Sequence, residues 1–294
     1  MKTAARKIGR KPNAFSIICS AFLWIFCLLL IFLFVYAFFN SFKGLIEFIE
    51  NPLGIPRTWS FDNYLLILNY FVYTVGARGP TYYIEDMILF TLIYCIGCTF
   101  CSIAVCTVTA YVTARFAYKF SEIVYVTVLV TMSLSVVGSQ ASELEILRSI
   151  SLYDTFIGVF LLKANFLGVY FLVLHAMFKG VPRTYSEAAE IDGAGNLRIF
   201  WSIMLPLARN TLFTITLIYF IGYWNDYQTP LLYLPSSPTI ALGLFNFNNS
   251  TIPDIASPTI KLGASFMVFL PIFIVFLIFQ KRIIGNVSLG GIKE

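Results

Sequence analysis

Trp224, Asn225 and Asp226 stand together near the end of an otherwise apolar run, with Tyr223 just before them. Lys163 and Asn165 sit in another such run. A carboxylate inside a bilayer costs on the order of 3 kcal/mol unless it faces protein or water, so ionisable residues in apolar runs mark candidate solute pathways. An indole offers an apolar face to a sugar ring, and Asn and Asp offer acceptors to its hydroxyls. Two plainer roles for Asp226 stay open: capping a kink near Pro230, or pairing with another subunit. Lys163 has a stem long enough to snorkel towards the outer surface.

Other reactive residue types point nowhere. Cys95, Cys98 and Cys101 form a Cys-x-x-Cys-x-x-Cys run, but all six cysteines lie in apolar segments and read as small buried hydrophobes rather than zinc ligands. His175, the single histidine, reads as structural. No Gly-x-x-x-x-Gly-Lys-Ser/Thr loop is present to cradle a nucleotide, and no Ser/His/Asp or metal-ligand set appears. The sequence therefore predicts no catalytic residue, no metal and no cofactor bound by this chain.

The elements that must position these residues are membrane helices. Of 294 residues 59% are hydrophobic and 12% charged, about half the charged fraction of a soluble domain. Six apolar runs read as spans: Phe15–Phe39, Met87–Ala114, Ile123–Val137, Phe156–Phe178, Leu212–Tyr233 and Leu262–Phe279. The first is too long for a signal peptide and reads as a retained helix. Placing the N-terminus inside puts fourteen of the twenty Lys and Arg on the cytoplasmic side, from Lys2, Arg6, Lys7, Arg10 and Lys11 to Lys281, Arg282 and Lys293. This charge bias accounts for the net charge of +5 without a nucleic-acid partner. The expected organisation is residues 1–86 as tail, first span and outer loop, 87–281 as a five-helix core, and 282–294 as a cytoplasmic tail. A short interfacial helix is expected around Leu144, Ile146, Leu147 and Ile150.

Between the fourth and fifth spans, residues 180–209 form a cytoplasmic elbow. Thr184 and Glu187 have capping-box spacing, Gly193 supplies a left-handed stop, and Pro206 disfavours helix at Leu205. Ala188 and Ala189 flatten one face of the first helix. The run Ile199–Leu205 is too apolar to sit in water and must pack on something.

Glu187-Ala188-Ala189, then Gly193, Ile203 and Leu205-Pro206, match at every position the loop of ABC-importer permeases in which Glu-Ala-Ala is followed by three residues, Gly, nine residues, Ile, one residue and Leu-Pro. The segments "EAAEIDGAG", "IFWSIMLPLARNTL", "IGYWNDYQTPLL" and "FQKRIIGNVSLGGIKE" resemble more narrowly the carbohydrate-uptake permeases of the maltose-transporter G-subunit type, over roughly residues 87–294. The resemblance implies an all-α type I importer permease with six spans and both termini cytoplasmic. It assigns ATPase coupling to Glu187, Ala188, Ala189, Asp192, Gly193, Ile203, Leu205 and Pro206. It also implies a second homologous permease, two cytosolic ATPase subunits that hold ATP and Mg2+, an extracytoplasmic solute-binding protein and a carbohydrate substrate. An importer of a non-sugar solute and a secondary transporter are the alternatives.

Overall fold

The computed structural model describes residues 13–76, 78–116, 118–134 and 138–287, with side chains through Gln280. The basic residues at positions 2–11, the end of the third predicted span and Lys293 lie outside the described residues. The described chain is mostly helical and divides into two compact units.

The first unit comprises Met1–Leu68 with Thr251–Met267. Its helix α1 (Ala14–Ser41) exposes large apolar side chains along nearly its whole length, as a helix against lipid does. Its end is closely satisfied. Asn63 Nδ2 donates to the carbonyls of Ser41 and Lys43 at 2.8 and 2.9 Å, supplying partners that a helix C-terminus lacks. Lys43, just past the helix, is fully buried and donates to the carbonyls of Asn51 and Gly54, each at 2.7 Å. Burial pulls its pKa below the usual lysine value, with Glu47 acting in the opposite direction. Short helices α2 (Leu45–Glu50) and α3 (Asp62–Tyr70) follow.

The second unit comprises Asn69–Ser250 with Val268–Glu294. A two-residue hairpin, β1 (Tyr73–Thr74) and β2 (Thr81–Tyr82), pairs antiparallel with Tyr73 opposite Tyr82 and leads into α4 (Ile84–Arg115). The 32 residues of α4 form the axis of this unit. Against it pack α5 (Lys119–Ser133), α7 (Phe156–Lys163) and α8 (Val169–Gly180). Between α5 and α7 in the chain, the short helix expected around residues 144–150 is present as α6 (Ser139–Ser149), which buries Leu147 and leaves Ile146 exposed. Gly97 lets α7 approach closely, since a Cβ there would collide with the Phe160 ring.

Helix α9 (Thr184–Ile191) is the first arm of the elbow. The second arm is the start of α10, a continuous helix over Asn196–Trp224. Then come α11 (Gln228–Tyr233), α12 (Ile240–Asn248) and α13 (Pro258–Val287), whose residues to Met267 belong to the first unit. Thr91 Oγ1 on α4 accepts from Ile240 N at 2.7 Å and so anchors the start of α12.

Four helices among the described residues are long and apolar enough to cross a membrane: α1, α4, α10 and the Pro258–Gln280 part of α13. The other two predicted spans differ from expectation. The third survives as the 15 residues of α5. The fourth, expected to be continuous, is broken at residues 164–168 into α7 and α8. The fifth ends at Trp224 and does not run on to Tyr233. These breaks coincide with the polar residues Lys163, Asn165, Asn225 and Asp226, whose side chains compete with helical hydrogen bonding or find partners across the bundle.

Helix α10 corrects the reading of Pro206. Leu205 is helical, with φ −63° and ψ −45°, and the chain passes through a π-helical turn at Phe200–Met204. A proline has no N–H to donate, and a local change to wider hydrogen-bond spacing absorbs that loss without ending the helix.

Candidate functional site

Two constellations in the second unit carry chemistry. In the elbow, Gly193 has φ +77° and closes α9 with paired bonds: Gly193 N donates to Glu190 O at 3.0 Å and Ala194 N to Ala189 O at 2.8 Å. This is the two-bond glycine stop expected of a left-handed C-terminus. The capping box is not formed. Arg183 already has helical angles, its carbonyl accepts from Glu187 N at 3.0 Å, and Thr184 therefore lies inside the helix instead of capping it.

The paired alanines part company. Ala189 is buried in a core with Tyr111, Phe178, Ile199, Phe200 and Met204, whereas Ala188 is exposed. A small residue at 189 seats α9 flat on that core. Of the apolar run that had to pack, Ile199, Phe200 and Met204 are buried and Ile203 and Leu205 half-buried, while Trp201 remains 66% exposed. Ile191 and Leu197 are 87% and 77% exposed. Glu187 lines a cavity of about 180 Å³ with Arg115, Arg183 and Glu190, while Asp192 caps α9 and Pro206 sits in the first turn after the π-helical segment.

The second constellation joins the two helix breaks. Asp226 accepts from Thr229 N at 3.0 Å, Thr229 Oγ1 at 2.6 Å and Tyr94 OH at 2.8 Å, and pairs with Lys163 at 3.6 Å. Lys163 Nζ donates to Thr229 Oγ1 at 2.9 Å and lies 5.8 Å from the Tyr223 ring centroid. Ser102 Oγ donates to Lys163 O at 2.8 Å and is 2.6 Å from Tyr223 OH. Tyr219 stacks on Tyr223 at 6.0 Å and meets Tyr170 of α8 at 4.9 Å. The result is a tyrosine-faced polar strip in which the two opposite charges offset each other.

Of the two plainer roles offered for Asp226, the cap near Pro230 is visible in its bonds to Thr229, and its cationic partner is Lys163 of the same chain. Trp224 is packed away: it is 6% exposed and its indole N–H donates to Val268 O at 3.2 Å. Asn225 and Asn165 are exposed at the two breaks. The sequence reading missed Tyr94, Ser102, Tyr170, Tyr219 and Thr229. Only Thr229 left a readable signal, three residues after an aspartate and just before Pro230, as in a helix start. His175 is buried, with Nδ1 3.2 Å from Thr113 Oγ1, and its ring packs against Tyr125 and Phe171. Among the described residues no cluster of His, Cys, Asp and Glu could hold a metal ion.

The fold is that of a chain in a solved ABC importer. A bacterial ABC transporter involved in import of the acidic polysaccharide alginate superimposes with a TM-score of 0.76 at 20% identity, over 96% of this chain and 99% of that one. In sequence the chain is similar to carbohydrate-uptake permeases. The diacetylchitobiose uptake system permease NgcG of Streptomyces coelicolor is 27% identical, over 98% of this chain and 93% of its own length. The arabinooligosaccharide transport permease AraQ of Bacillus subtilis is 26% identical, over 92% and 89%. No protein-family model matches the chain.

Proposed function

We propose that this chain is one of two membrane subunits of an ATP-driven carbohydrate importer in a bacterial cell membrane. It crosses six times with both termini cytoplasmic, α5 and the broken α7–α8 supplying the third and fourth passes. A second, homologous permease completes the path. Two cytosolic ATPase subunits hold ATP and Mg2+, and an extracytoplasmic binding protein delivers an oligosaccharide or polysaccharide fragment.

The observation that carries this reading is the elbow. Its spacing matches the importer loop, Ala189 seats it on the core, and Ile191, Leu197 and Trp201 are left exposed for a partner. The strip of Tyr170, Tyr219 and Tyr223 beside Ser102, Lys163 and Asp226 supports a sugar path, since aromatic faces and hydroxyl partners are what a sugar requires.

The test is reconstitution of the complete transporter in vesicles. ATP-dependent uptake of a neutral oligosaccharide is the expected result. Uptake by this chain alone, or by a complex without ATP, would overturn the assignment. Within the same assay Gly193 reports on the elbow. No atom lies within 4 Å of a Cβ built there, so substitution is penalised by backbone angle alone. Gly193→Asn, which tolerates left-handed angles, should transport near the wild-type rate. Gly193→Val should lose about five- to thirtyfold, from a left-handed cost of about 1–2 kcal/mol.

A further inference from the structure

We infer that Arg115 is the residue that passes movement of the elbow to α4. The inference rests on the importer reading. The elbow leaves the bundle at Val181, where α8 stops, and rejoins it through the π-helical turn ending at Met204. One guanidinium spans both points. Arg115 Nη1 donates to Val181 O at 3.0 Å, and Nη2 donates to Met204 Sδ at 3.5 Å. Its Nε is buried without a protein hydrogen-bond partner, so the guanidinium's bonds run to the elbow's two ends.

Tyr111, one turn earlier on α4, reinforces the grip. Its ring meets Phe178 at 5.6 Å and Phe200 at 4.8 Å, and these residues flank the same two points. The opposite stretch of α4 carries Ser102 and Tyr94, which hold the Lys163–Asp226 network. At 1.5 Å per residue, Arg115 and Tyr94 are about 32 Å apart on one unbroken helix. A shift of the elbow therefore reaches the two helix breaks through a rod clamped at both ends. A planar fork with donors fixed relative to one another suits that clamp; an ammonium is a point charge on a flexible stem whose donors rotate freely.

The test compares wild type, Arg115→Gln and Arg115→Lys in the fully assembled transporter, measuring sugar taken up and ATP hydrolysed in the same vesicles. Arg115→Gln is expected to assemble and to hydrolyse ATP within twofold of wild type, while sugar moved per ATP falls at least fivefold. Arg115→Lys should fall between the two. A purely structural arginine would reduce the amount of complex and leave sugar per ATP unchanged in what remains, and that result overturns the inference. If Arg115→Gln does not assemble, the ratio in Arg115→Lys decides by the same criterion. A wild-type complex that does not couple sugar to ATP overturns the functional reading itself, which separates the two failures.

Discussion

Replacing Asp226 with alanine is expected to destabilise the protein by about 4 kcal/mol, of which about 3 is the usual penalty for removing one member of a buried ion pair, and to abolish uptake. The carboxylate takes three hydrogen bonds and one ionic contact, and its side chain is 19% exposed. Its loss leaves Lys163, 27% exposed, as an unbalanced cation between apolar helices, and leaves Tyr94 OH without its acceptor. It also removes the group that satisfies Thr229 N at the start of α11, a further cost of about 1 kcal/mol. Adding Lys163→Met should recover most of the loss, because an uncharged pair needs no compensation. The remaining deficit should match that lost cap. Thermal unfolding of wild type, the two single variants and the double variant in detergent gives the coupling as a double-mutant cycle. Strictly additive penalties would mean that the charges do not depend on each other. Transport should stay low in the stable double variant if Lys163 and Asp226 belong to the sugar path, and should return if their work is only to hold the helix breaks.

Long apolar runs were legible because lipid demands them: α1, α4 and the apolar part of α13 fall where hydropathy puts them. So was Gly193, since only a left-handed residue stops α9 in that way. The break between α7 and α8 was not legible. Residues 164–168 contain one asparagine and one glycine in a run that hydropathy alone reads as continuous, and at the break the Lys163 carbonyl takes a tertiary bond from Ser102 that no local pattern announces. Proline misled in the opposite direction, because the π-helical turn before Leu205 lets the helix continue. The same limit applies to the site. Asp226 and Lys163 stood out as charges in grease, but nothing in local spacing ties them to each other across 63 positions, or either to Tyr94. Trp224 matched the chemistry of a sugar site by residue type, yet its indole faces Val268 O. Residue type announces a candidate; which way the side chain turns depends on packing.

Replacing both Ile191 and Leu197 with aspartate is expected to strip the ATPase subunits from the complex while leaving this chain folded. The two side chains are 87% and 77% exposed, so neither contributes much to the core. Burying each against a partner would contribute about 1.5–3 kcal/mol by area. Association recovers only part of such a sum, and a few anchors dominate it. A loss of at least about 3 kcal/mol corresponds to more than a hundredfold in affinity. Copurification of the ATPase should therefore fall below detection, with the unfolding midpoint of this chain unchanged. Ala189→Asp makes the contrast. It faces Tyr111, Phe200 and Met204, so it should lower the midpoint because it buries a charge. Stoichiometric ATPase in the Ile191→Asp, Leu197→Asp variant would show that the partner grips some other surface, and the exposed apolar tip of the elbow would then need a different occupant. If instead the ATPase is lost at an unchanged midpoint, Ala189 serves the inward face of α9 and Ile191 the outward one, which explains why a helix of eight residues keeps small and large apolar positions on opposite sides.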